Sequence, residues 1–331
     1  MKALFLIAGI LLCHVAGAAD RLAGEHADVK TFSVSGLSSG GFMAIQFQVA
    51  HSGRVKGVAA LAAGPYYCAQ GSLWAAYYNC TTPGSWTPLP SIEALKAQAE
   101  HFASEGRIDS TGNLAATRLW FFSGSRDRTV ARPVVEAAAR FYALFGAKNV
   151  PIVARPAGHA MVTEDAGTAC GTTEAPFIND CDYDAAGALL AQLLGPLKPA
   201  SKEGGRLVAF DQKSFADGNP YAISMADSGY VYVPTACLSA RCAVHVVFHG
   251  CRQNADAVGD QFVRQAGYNR WADTNRLIVL YPQTIARYFF VYNPRGCWDW
   301  WGYTGSQYAT KAAPQIRAVL AMVERLGAPR N

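Results

Sequence analysis

The chain has 331 residues, 51% hydrophobic and 16% charged, which is too apolar for a disordered protein and long enough to bury a full core. Twenty-nine Lys and Arg against 24 Asp and Glu give a net charge of +5; without a basic run, this excludes a nucleic-acid partner held by charge. No 18-residue apolar run follows the N-terminal segment, so no membrane span is expected after that segment is removed.

The N-terminus reads as an export signal. Lys2 precedes an apolar stretch from Ala3 to Val15, and Ala16-Gly17-Ala18 supplies an A-x-A site. Residues 1–18 are therefore expected to be a cleaved signal peptide, leaving 19–331 as a single catalytic domain. A membrane anchor is disfavoured by the short stretch, and a lipid anchor at Cys13 by the bulky Leu12 before it. The expected location is secreted or periplasmic.

Apolar, β-branched runs then mark strands at Phe32–Val34, Val55–Leu61, Leu119–Phe122, Pro151–Ala154, Tyr230–Val233, Ala243–Phe248 and Leu277–Tyr281. Helical stretches are predicted at Gly41–His51, Val130–Leu144, Ala185–Leu194, Phe262–Thr274 and Lys311–Leu326. Strands alternating with amphipathic helices predict an α/β fold with a mostly parallel central sheet. The polar stretch Pro199–Gly205 could link two halves, but neither half looks complete alone.

Eight cysteines remain once Cys13 leaves with the signal. An even number in an exported chain points to four disulfides, although eight cysteines allow about 105 pairings. Proximity favours Cys68–Cys80, Cys170–Cys181 and Cys237–Cys242, which leaves Cys251–Cys297. A metal site at His245, His249 and Cys251 ranks below this, because no CxxC pair is present.

Gly36-Leu37-Ser38-Ser39-Gly40-Gly41 fits G-x-S-x-G between a strand and a helix, the context of a nucleophile elbow. A serine hydroxyl needs a base and an orienting carboxylate. Asp127 follows the strand ending near Phe122, with helix capping as its other reading. His159 is the first histidine after the next strand. These three, Ser38, Asp127 and His159, come in the order serine, acid, histidine. His249-Gly250-Cys251 ends a buried-strand pattern and resembles an oxyanion segment, yet it lies far behind the elbow instead of before it. Circular permutation accounts for that order, and the expected oxyanion donors are the N–H groups of Ser39 and Cys251. The loop from Asn293 to Tyr303 holds three Trp and one Tyr and is expected to line the substrate cleft, with Tyr66 and Tyr67 extending the surface.

Taken together, Val34 to Ala44, Pro65 to Gly71, Gly124 to Asp127, Ala157-Gly158-His159, His249-Gly250-Cys251 and Asn293 to Trp301 resemble the single-domain poly(3-hydroxybutyrate) depolymerases. The resemblance spans nearly the whole chain after the signal. It implies a circularly permuted α/β-hydrolase fold and a serine esterase acting on a polyester or oligoester. It also implies Ser38 as nucleophile, His159 as base, Asp127 as its orienter, and Asn293 and Trp298 as substrate contacts. No metal or organic cofactor is expected. The alternatives are a secreted carboxylesterase of feruloyl or acetyl type and a non-catalytic polymer-binding protein.

Overall fold

A computed structural model describes residues 19–330; the expected signal peptide, with Cys13, lies outside the described residues. The strands are β1 (Asp20–Arg21), β2 (Asp28–Leu37), β3 (Val55–Leu61), β4 (Arg118–Gly124), β5 (Ile152–Arg155), β6 (Met161–Thr163), β7 (Thr168–Ala169), β8 (Ile178–Asp180), β9 (Arg206–Asp211), β10 (Ser228–Val233), β11 (Ala243–Phe248) and β12 (Leu277–Tyr281). Nine form one sheet in the order β1-β9-β10-β12-β11-β2-β3-β4-β5. Every pairing is parallel except those of β10, which runs against both β9 and β12. Runs such as Leu277-Ile278-Val279-Leu280-Tyr281 are buried throughout, as expected for a parallel strand covered on both faces. β6, β8 and β7 make a small parallel sheet of their own.

The helices are α1 (Ser39–Ala50), α2 (Leu73–Tyr78), α3 (Ile92–Ser104), α4 (Arg132–Ala143), α5 (Ala185–Leu194), α6 (Ala255–Val258), α7 (Gln261–Gln265), α8 (Tyr268–Asn275) and α9 (Pro314–Leu326). The sequence of α1, Ser-Gly-Gly-Phe-Met-Ala-Ile-Gln-Phe-Gln-Val-Ala, carries no charge, and all twelve residues are buried. A helix apolar on every side belongs in the interior. Its two glutamines are satisfied there: Gln46 Nε2 donates to Asp299 O, while Gln48 donates to Thr117 Oγ1 and accepts from Tyr142 Oη.

Renumbered from β9, the sheet order is consecutive apart from one crossed pair, with β2 entering fifth. Apart from the two-residue β1, which pairs with β9 at the outer edge, the second half of the chain thus builds one flank of the sheet and the first half the other. The joint is visible: Glu25 and Ala27 N–H both donate to Leu326 O at 3.0 Å, so the end of α9 meets the segment entering β2. This is a circularly permuted α/β-hydrolase sheet.

One expected helix needs correction. The helix expected over Phe262–Thr274 is broken into α7 and α8 at Gly267, whose φ is +87° and whose Cβ would lie 3.2 Å from Ala186 Cβ; only glycine is easy there. β9, a strand absent from the predicted set, directly follows the polar stretch Pro199–Gly205 and pairs with β10. Disulfides join Cys68–Cys80, Cys170–Cys181, Cys237–Cys242 and Cys251–Cys297.

Candidate active site

β2, β3, β4, β5, β11 and β12 all run the same way, so the loops leaving their C-terminal ends share one edge of the sheet. β2 delivers Ser38 to that edge. The residue adopts φ 55°, ψ −123°, a strained conformation for a non-glycine. Its N–H donates to Leu61 O (2.9 Å) and its carbonyl accepts from Phe42 N–H (2.9 Å). The flanking glycines are steric requirements. A Cβ at Gly36 would sit 2.2 Å from Gly40 O, and one at Gly40 would sit 2.2 Å from Phe248 O. Strand, helix and β11 can therefore close around the serine only if both side chains are absent.

Asp127 follows β4. Its Oδ1 accepts from Thr129 N–H (2.7 Å) and Val130 N–H (2.9 Å), and its Oδ2 meets His159 Nδ1 at 2.8 Å. Capping and orienting are thus shared between two oxygens of one carboxylate, although the turn it caps precedes α4, which starts only at Arg132. The carboxylate side chain is 1% exposed and the imidazole 9%, and low local dielectric strengthens such a pair. The carboxylate takes Nδ1, leaving Nε2 for another partner. The His159 main chain is braced by Thr173, whose Oγ1 accepts from His159 N–H (2.9 Å), and by Gly158 N–H donating to Cys170 O (2.8 Å). Arg126 N–H donates to Ala157 O (3.0 Å), tying the acid's turn to the histidine's loop.

β11 delivers His249-Gly250-Cys251 to the same edge. Gly250 N–H donates to Gln253 Oε1 (2.8 Å) and Arg252 N–H to Arg295 O (2.7 Å). Gln253 Nε2 then donates to Phe177 O (2.9 Å), and Met161 N–H donates to that same carbonyl (2.8 Å). This chain of bonds joins the Cys251 turn to the segment after His159. His249 is a wedge rather than a base: Thr284 N–H donates to Nε2 (3.2 Å), so the ring proton sits on Nδ1 and is donated to Gly250 O (2.7 Å). Burial pushes its pKa down to about 4. His245 is likewise buried, pushed down to about 3, and spans Ser33 and Ser35 of β2. With Cys251 in a disulfide, the residues of the alternative metal site are all otherwise engaged.

The aromatic loop departs from expectation. Asn293 and Trp298 have no accessible surface. Asn293 Oδ1 accepts from Cys297 N–H (2.9 Å), and its Nδ2 donates to Ser224 Oγ (2.9 Å) and Cys297 O (2.8 Å). It is a brace for the Cys251–Cys297 crosslink, not a cleft residue. Trp298 packs on Phe248 and His249, and its backbone N–H donates to Ser39 Oγ (3.3 Å); its indole N–H is buried without an acceptor. Trp300 stacks on Phe42 of α1. The loop turns inward because Asp299, buried, accepts from the N–H groups of Trp301, Gly302, Tyr303 and Thr304. Tyr66 is also core, donating to Ala309 O (2.7 Å), while Tyr67 is half-buried against Tyr308. Thr173, Gln253 and Asp299 escape the sequence reading because no local motif marks them; each acts through a partner distant in the chain or a turn visible only once folded.

Residues 227–329 match the family model described as Esterase PHB depolymerase. The poly(3-hydroxybutyrate) depolymerase of Delftia acidovorans is 42% identical over 330 residues, covering 96% of this chain and 64% of the relative, so the chain spans about two-thirds of that protein's length. The polyhydroxybutyrate depolymerase of Talaromyces funiculosus is 35% identical, with 93% of each chain covered. The crystal structure of PHB depolymerase from Penicillium funiculosum superposes with a TM-score of 0.84 at 33% identity, over 92% of this chain and 98% of that one. A variant PHB depolymerase complexed with an R3HB trimer matches equally well. With its sheet order, its elbow and these relatives, the chain belongs to the PHB depolymerase esterase family.

Proposed function

We propose that the protein is a serine hydrolase that cleaves ester bonds of poly(3-hydroxybutyrate) or its oligomers. The observation that carries this reading is the Asp127–His159 pair at 2.8 Å, on the sheet edge where the Ser38 elbow emerges. Ser38 Oγ attacks the ester carbonyl carbon as His159 Nε2 takes its proton. The carbonyl oxygen becomes an oxyanion held by the N–H groups of Ser39 and Cys251. The N–H groups beside Cys251 are committed to Gln253 and Arg295, which leaves its own for this role. One such donor is worth about 3 kcal/mol in the transition state. The carbon–oxygen bond to the leaving chain then breaks, and His159 gives its proton to the departing hydroxyl oxygen. Water, deprotonated by the same imidazole, releases the acyl group as a carboxylic acid and restores Ser38. Asp127 holds the imidazole in the Nδ1–H tautomer and stabilises the imidazolium.

The test is Ser38→Ala assayed on 3-hydroxybutyrate trimer and on amorphous polymer. Turnover is expected to fall by about 10⁶-fold, with folding intact and fluorophosphonate labelling abolished. Near-parental turnover in the variant would overturn the assignment. Export is part of the same reading and is supported by the four disulfides. Mass measurement of the processed chain is expected to show Ala19 as its first residue.

A further inference from the structure

Two arginines stand beside the oxyanion loop with no partner for their charge. Arg252 follows Cys251, and Arg295 comes two residues before Cys297, so each is carried by one end of the Cys251–Cys297 crosslink. Arg252 N–H donates to Arg295 O (2.7 Å), which holds the two main chains side by side. Both side chains are exposed. Arg252 adopts φ +59°. Glycine would be easy at that position, yet an arginine stands there and the backbone carries the strain.

Elsewhere on the surface, guanidinium groups meet carboxylates, as Arg54 does at Glu324 and Arg132 at Glu136. Among the described residues, neither Arg252 nor Arg295 is in an ion pair. The carboxylates of neighbouring turns are engaged or out of reach: Asp260 pairs with Arg264, Glu164 and Asp165 pair with Arg270, and the exposed Asp256 and Glu174 lie beyond ion-pair distance. Residues 57–92, from β3 to the start of α3, contain no Asp, Glu, Lys or Arg, and neither do residues 288–294, after β12. Arg126 and Arg128, on either side of Asp127, are exposed and also without an ion pair. The Arg126 guanidinium lies instead against Gly171, where a Cβ would come within 2.6 Å of its Nη1. The loops that carry Asp127 and Cys251 are thus electropositive, and such a surface concentrates anions.

The chemistry of the substrate says which anion. Every unit of a 3-hydroxybutyrate chain is neutral except the last, which ends in a carboxylate. The piece that departs from Ser38 as an alcohol is the one that keeps this end. When that piece is a single unit, only two carbons separate its leaving oxygen from its carboxylate. In the reading above, Cys251 N–H holds the oxyanion formed on the carbon that the leaving oxygen departs from. Arg252 Cα lies about 3.8 Å from Cys251 Cα, so its long side chain spans the space beside that carbon. A planar guanidinium grips a carboxylate with two parallel hydrogen bonds.

We infer that Arg252 and Arg295 form a clamp for the terminal carboxylate of a short oligoester, so that the site favours bonds near the acid end of a dissolved chain. The inference rests on the esterase reading above and adds which end of the substrate is recognised. The interior of a polymer bears no such charge and gains nothing from the clamp. Two exposed charge pairs supply a modest preference: about fivefold for the carboxylate over its methyl ester, or about 1 kcal/mol.

The experiment compares 3-hydroxybutyrate trimer with its methyl ester near neutral pH. Dissociation constants are measured with Ser38→Ala protein, and KM with the active protein, each with and without Arg252→Gln and Arg295→Gln together. The parent is expected to bind the trimer about fivefold more tightly than the ester, and the Gln pair to bring that ratio to about one. In about 0.5 M NaCl the parent's ratio is expected to fall toward one as well, because exposed charges are screened; this arm needs no variant to fold. Equal binding of trimer and ester by the parent overturns the inference, and so does a preference that the Gln pair or salt leaves intact. If the active protein cleaves neither compound, the esterase reading fails, while binding to the Ser38→Ala protein still decides the clamp.

Discussion

His159 and His249 reach the same edge of the sheet from opposite flanks of Ser38, and their surroundings make them chemically opposite. His159 faces the Asp127 carboxylate at 2.8 Å and keeps Nε2 open. His249 meets no carboxylate; a backbone N–H and a backbone carbonyl occupy its two nitrogens, and burial holds it neutral. A histidine becomes a base by having a charged partner on one nitrogen and room on the other. With both nitrogens spent on the main chain, it becomes a fastener for the loop that carries Cys251.

The contrast can be broken hardest at Asp127. Asp127→Asn keeps the side chain's shape but favours the wrong imidazole tautomer, and kcat on soluble trimer is expected to fall about 10⁴-fold with a near-parental melting temperature. The next largest effect belongs to the fastened side. Replacing Cys251 and Cys297 together by Ser opens a crosslink spanning 46 residues; denaturant titration is expected to show a loss of about 4 kcal/mol. Activity should fall as well, since Cys251 stands in the oxyanion loop.

Acid sharpens the comparison further. His249 and His245 have folded pKa values near 4 and 3, below the unfolded value of about 6.5. The unfolded chain therefore binds protons first, and stability conferred by the neutral rings is present above pH 6.5 and lost as pH falls toward 4. Thermal unfolding across that window is expected to show the decline, less steep by about one proton in His249→Asn. An unchanged slope would remove the wedge from the account. The smallest effect is expected at Arg132–Glu136, an exposed pair on α4: Glu136→Ala should change stability by about 0.5 kcal/mol or less by denaturant titration.

Legibility in the sequence followed burial. β3, β11, β12 and α5 have the predicted bounds because largely buried elements are written in mostly apolar runs. The elbow was legible because its glycines answer a local clash. β9 was missed because Arg206–Asp211 has polar ends, mixed burial and a polar stretch before it. The aromatic loop was misread for a different reason. Ring count in Asn293 to Tyr303 says nothing about which way the loop faces, and it is the Asp299 carboxylate, gathering four backbone N–H groups, that turns Trp298 and Trp300 inward. Arg252 and Arg295 carry no motif at all; only the crosslink and the turn beside it bring them together.

The meeting of Leu326 with Glu25 and Ala27 has a practical bearing. That seam lies where β2 begins, at the pole of the sheet farthest from Ser38. A fluorophore, affinity tag or tethered module joined beyond Arg330 would project from the pole opposite the loops that carry Ser38, Asp127 and His159, leaving that edge uncovered.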